Sequence, residues 1–106
     1  GLKKMNQWLY QLKPSRLGML TEATPEETET VSRHFAYLQD LTQKGVMILM
    51  GRTLNNDEST FGICIFEAED ESAARMIMEA DPAVRAGVMR AVLYPYKIAP
   101  MRGRSE

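Results

Sequence analysis

Two short runs constrain this chain more than anything else in it. Val46 to Met50 is apolar at every position, and Ile63-Cys64-Ile65-Phe66 repeats the pattern after the turn-forming stretch Asn55 to Ser59. Gly45 and Gly51 bound the first run and Phe61 opens the second, so together they predict a β-hairpin. Successive side chains of a strand point to opposite faces, which makes a hairpin of this composition apolar on both sides. An antiparallel sheet with one solvated face alternates apolar with polar residues instead. These strands therefore need cover above and below.

The remaining segments supply cover for one face. Gln7 to Leu12 alternates polar with apolar residues and carries Trp8, Leu9 and Tyr10, which predicts a first strand that Lys13-Pro14-Ser15 breaks. Thr24-Pro25-Glu26-Glu27 predicts a helix start, because threonine caps a free N–H, proline suits the first helical position and Glu27 completes a capping box. Val31, His34, Phe35, Leu38 and Leu41 follow as one buried stripe, and Lys44-Gly45 ends the helix. Asp70-Glu71-Ser72 opens a second helix carrying Ala73, Ala74, Ile77 and Met78, which stops near Asp81-Pro82. A short turn leads to Gly87, and Val88 to Tyr94 predicts the last strand, with Pro95 limiting its pairing. The order βαββαβ is that of the ferredoxin-like unit, an α+β fold with two helices on one face of an antiparallel four-stranded sheet. Nothing in 106 residues is left to cover the second face, so a homodimer packed through the sheet face is expected.

A single domain over residues 5–100 accommodates all of this, with residues 1–4 as an appendage before Met5 and 101–106 as a loose polar tail. A net charge of −1 and a pI near 5.9 provide no field to attract a polyanion, so no nucleic-acid partner is expected. The central strands also lack the basic and aromatic surface pattern of the RNA-recognition modules that share this element order. No apolar run approaches the roughly 20 residues that span a bilayer, which points away from a membrane partner and towards the cytoplasm. Cys64, the only cysteine, sits inside an apolar run and reads as a small buried residue.

His34 is the only histidine and the natural carrier of proton transfer near neutral pH. On an apolar stripe, taken alone, it reads more readily as a hydrogen-bonded core residue. Asp81 lies where the second helix ends, beside the first helix in this fold, so it is placed to orient the imidazole; as the residue before Pro82 it also reads as a helix cap. Arg16 and Arg52 follow the first and second strands and are the candidates to hold an anionic substrate, against the plainer reading of solvated surface cations. There is no glycine-rich phosphate loop, no paired cysteines and no second histidine, so neither a metal site nor a cofactor is expected.

The ordered set His34-x-x-Tyr37-Leu38-x-x-Leu41-x-x-x-Gly45, then Gly51, then Asp81-Pro82-x-x-x-x-Gly87, resembles the YciI-like (YCII-related) family over about Pro25 to Ile98. The resemblance implies a dimeric α+β barrel and a His-Asp active-site pair that maps onto His34 and Asp81. Two positions depart from the family's pattern: Arg52 stands after Gly51 where members often have proline, and Ala83 follows Asp81-Pro82 where they often have an aromatic residue. Both bear on the pocket wall. Similar barrels include lactone isomerases, dehydrochlorinases and cofactor-free monooxygenases, so the fold implies a choice of chemistries. The expected function is a cofactor-independent enzyme of lyase, isomerase or hydrolase type, acting by His-Asp proton transfer on a small anionic or aromatic ligand. The competing expectation is a non-catalytic, stress-associated or small-molecule-binding dimer.

Overall fold

The computed structural model describes residues 5–103; the appendage expected over residues 1–4 and the end of the tail, 104–106, lie outside them. The elements run β1 (Asn6–Pro14), a 3-10 turn (Leu17–Leu20), α1 (Pro25–Gln43), β2 (Met47–Arg52), β3 (Gly62–Ala68), α2 (Glu71–Glu79), α3 (Pro82–Arg85) and β4 (Met89–Tyr96). The four strands form one sheet in the order β2-β3-β1-β4, and every neighbouring pair is antiparallel. This is the ferredoxin-like α+β arrangement, with the expected hairpin as β2 and β3.

The helix ends follow the local chemistry. Thr24 accepts from the Glu27 N–H while the Glu27 carboxylate accepts from the Thr24 N–H, so the capping box is complete. Asp70 caps α2 through the Ala73 N–H. Gly45 and Gly87 adopt φ of 80° and 74°, and each closes a Schellman motif, with Val46 N–H on the Leu41 carbonyl and Val88 N–H on that of Ala83. Only glycine enters that left-handed region without strain.

Three boundaries differ from the sequence expectation. Lys13 and Pro14 do not break β1; they pair with Arg90 and Met89. Proline at a strand's last position forfeits one donor and nothing more. Pro95 likewise lies within β4, opposite Trp8, because β4 is an edge strand whose donors are needed on one side only. The β1–α1 connector contains a 3-10 turn that no periodicity announced, whereas the short helix α3 between Asp81 and Gly87 is the one that the cap reading of Asp81 expects.

The core lies between the helices and one face of the sheet. Trp8, Tyr10 and Leu12 of β1 and Cys64, Phe66 and Ala68 of β3 alternate inward and meet Leu38, Ala74 and Met78 from the helices. Tyr10 and Phe66 pack edge to face, 5.6 Å between centroids. The opposite face carries Leu9, Ile65, Leu49 and Tyr94 in register across all four strands, and no element among the described residues lies over it. Leu49, Val92 and Tyr94 are 49%, 50% and 46% exposed there. Among the described residues no helix is long and apolar enough to cross a membrane.

Candidate active site

Three elements bring their polar residues to one point beneath the core. His34 comes from the middle of α1, Tyr10 from β1, and Asp81 from the junction of α2 and α3. His34 Nδ1 lies 2.7 Å from Asp81 Oδ1 and 2.9 Å from Oδ2. The Tyr10 hydroxyl donates to Oδ2 at 2.8 Å, and the Ala83 N–H donates to Oδ1 at 2.9 Å. Asp81 is 0% exposed and Tyr10 likewise, while His34 retains 4%. The expected His34 and Asp81 therefore meet, and Asp81 is also the cap of α3, so the two readings of that residue are one structure.

The carboxylate decides the imidazole's tautomer. An ionised Asp81 only accepts, and its other two neighbours are both donors, so the proton it shares with the ring sits on Nδ1. That leaves the lone pair on Nε2. Nε2 makes no hydrogen bond among the described residues, yet no buried side-chain nitrogen or oxygen there lacks a partner, so Nε2 is open to the adjoining space. Tyr10 was not singled out by the sequence, because an aromatic residue on the inward face of a strand signals core. Burial first, then the charges of Cys64 and Asp81, push its phenol far above the ordinary tyrosine range, so it stays a donor at any ordinary pH. Cys64 is pushed up to about 12 by burial, which keeps it a neutral thiol.

The adjoining space is a cavity of about 480 Å³ between α1, the β1–α1 connector and one end of the sheet. His34 forms part of its wall. The rest is mainly apolar, with Met19 and Leu20 from the 3-10 turn, Val31 and Phe35 from α1, and Met50 and Phe61 from the hairpin. Phe35, expected to be buried with the stripe, is 46% exposed, because it lines this open cavity instead of packing into the core. Its ring meets the His34 ring edge to face, with centroids 5.4 Å apart.

The two candidate cations are placed very differently. Arg52 lines the cavity and has no ion-pair or hydrogen-bond partner among the described residues. Arg16 is not part of the wall. Its guanidinium grips Glu27 through Nη2–Oε1 at 2.6 Å and Nε–Oε2 at 3.1 Å, and donates to the Glu22 carbonyl. The Arg16 hydrogen bonds, with those from Thr24, hold the Glu27 carboxyl down to about 2. This clasp ties the connector to the start of α1. Among the described residues no three His, Cys, Asp or Glu side chains gather to hold a metal ion.

The model of the YCII-related domain matches residues 7–96, and the chain belongs to that family. No curated protein matches it. Among solved structures, 5-chloro-2-hydroxyhydroquinone dehydrochlorinase from Burkholderia phenoliruptrix, in complex with 2,5-dihydroxybenzoquinone, is 25% identical with a TM-score of 0.65, covering 88% of this chain and 95% of its own. An uncharacterized protein from Thermotoga maritima is 9% identical with a TM-score of 0.55, over 89% of this chain and 100% of its own, and is alike in fold.

Proposed function

We propose that this YCII-related chain, with residues 5–100 as its folding unit, is a cofactor-independent enzyme in which His34 Nε2 exchanges a proton with a small ring-bearing substrate. One observation carries the reading: the imidazole has one nitrogen fixed by a fully buried carboxylate and the other open to an apolar cavity. A base so placed is oriented on one side and accessible on the other. Asp81 does not take the proton. It stabilises the imidazolium formed when Nε2 is protonated, and Tyr10 and Ala83 hold its oxygens in place. The likeness to a dehydrochlorinase favours elimination among the possible outcomes. There Nε2 moves a proton from one ring hydroxyl to the chlorine-bearing carbon, giving a keto tautomer, and then takes a second hydroxyl proton; those O–H electrons form a carbonyl, the ring π electrons shift to remake the double bond at that carbon, and chloride leaves to solvent.

The test uses 5-chloro-2-hydroxyhydroquinone, following chloride release and, in D2O, exchange of ring protons for deuterium. The parent should do at least one of these, and His34→Gln should lose it by roughly 10²-fold or more while still binding. Binding with neither release nor exchange in the parent would make the chain a binding module instead.

The open sheet face belongs to the same proposal. Leu9, Leu49, Val92 and Tyr94 form a contiguous apolar surface that a second copy, packed sheet to sheet, would cover. Sedimentation equilibrium should give a dimer for the parent and a monomer for Tyr94→Glu. A parent that sediments as a monomer at tens of micromolar contradicts the pairing.

A further inference from the structure

We infer that the cavity selects a monoanion, with the ligand's charge seated on Arg52 and its apolar body turned towards His34; this rests on the proton-transfer reading only for which end of the ligand reacts. Two charged side chains line the cavity, Glu27 and Arg52. Glu27 has both oxygens engaged, by Arg16 and by the Thr24 N–H, and presents a neutralised pair. It offers nothing to a cation and repels no anion strongly. Arg52 is the last residue of β2, opposite Gly62 at the end of the sheet, and its charge is unanswered among the described residues. Thr60, 4% exposed, adds a hydroxyl to the wall on the same hairpin, shared with the Thr53 hydroxyl at 3.2 Å.

The cavity is mainly apolar; beside the neutralised Glu27 and the neutral hydroxyls of Thr28 and Thr60, the groups it leaves open to a ligand are the Arg52 guanidinium and Nε2. A molecule filling it must offer a carboxylate or phenolate at one end and a flat apolar body behind. A guanidinium suits such oxygens because its planar fork can give them two parallel hydrogen bonds. A neutral ring of the same shape would keep the apolar contacts and lose the orientation. An ammonium ligand would meet the unpaired Arg52 charge and be excluded.

The probes are 2-naphthoate, its neutral amide 2-naphthamide, and 2-naphthylmethylammonium, followed by calorimetry and by amide shifts on the purified chain at low salt. Because Arg52 is exposed, the anion should bind only about fivefold more tightly than the amide, and high salt should shrink the difference. Arg52→Gln should erase the preference and leave the amide's affinity unchanged, while Arg16→Gln should preserve it. Equal affinity of anion and amide in the parent, persistence of the preference in Arg52→Gln, or failure of all three probes to bind would each overturn the inference. His34→Gln separates the two readings. A retained anion preference in a variant that has lost ring-proton exchange supports both, whereas retention in a parent that never exchanges protons sinks the catalytic reading alone.

Discussion

The two faces of the sheet are made from the same strands, often from adjacent residues, and they are held in opposite ways. On the covered face Tyr10 is 0% exposed and its hydroxyl ends on a carboxylate that is also fully buried. On the open face its neighbour Leu9 pairs across with Ile65 and Tyr94, and nothing among the described residues lies over the patch. The covered face tolerates polar groups because each finds a partner: Asp81 receives hydrogen bonds from His34, Tyr10 and Ala83. The apolar patch on the open face, bordered by Gln7, Gln11 and Glu67, is covered by no element among the described residues. The proposed chemistry lies where the fold satisfies a buried charge, and the proposed pairing lies where it leaves apolar area uncovered.

The strongest way to break this contrast is Asp81→Ala. Tyr10, His34 and Ala83 would each lose an acceptor in a dry site, and denaturant unfolding should show a loss of about 3–5 kcal/mol. Asp81→Asn should be milder for the fold and severe for function. Its amide donates where the carboxylate accepted, which favours the tautomer with Nε2–H, and turnover should fall by roughly 10³- to 10⁴-fold. Nitrogen-15 spectra of the single imidazole report that tautomer directly.

Leu38→Ala, at a position 0% exposed, should cost about 2–5 kcal/mol by opening a cavity beside the site. The matching truncation on the other face, Val92→Ala, should change unfolding by under about 0.5 kcal/mol at concentrations too low for pairing. Equal costs would mean the open face is not open in solution. Tyr10→Phe removes one hydrogen bond to the carboxylate and should cost about 2 kcal/mol.

The smallest effect is a slope with pH. Cys64 is raised from 9.0 to about 12, and Tyr37 from 10.0 to about 12, both chiefly by burial. The unfolded chain releases these protons first, so it binds fewer than the folded protein, and stability should fall as pH rises from about 9 towards 12. Melting temperatures across that window should decline, and more gently in Cys64→Ala. At the acid end the sign reverses. Glu27, held down to about 2 by Arg16, contributes stability that is lost as pH falls below its ordinary 4.5.

Patterns of spacing were enough to locate most of the elements. The capping box at Thr24, the stop at Gly45 and the Asp81-Pro82 cap are decided by residues within one turn of each other, so local chemistry suffices to read them. The boundaries at Lys13-Pro14 and Pro95 were misread for the converse reason. Whether a proline interrupts a strand depends on which side of it is paired, and that is a property of the sheet.

The site divides the same way. His34 and Asp81 were legible as candidates by residue type and position, but their 2.7 Å contact spans 47 residues and exists only once α1 and α3 lie together. Tyr10 was invisible because its inward position in β1 is what any core aromatic would occupy. The two arginines looked alike in the chain, and the fold separated them by giving Glu27 to Arg16 and the cavity rim to Arg52. Sequence alone determined the strands, the main helices, their order and a hairpin apolar on both sides, because those follow from local chemistry and periodicity. Tertiary structure alone decided which polar groups are answered and which are left free, because a partner's distance in space is set by packing and not by separation along the chain.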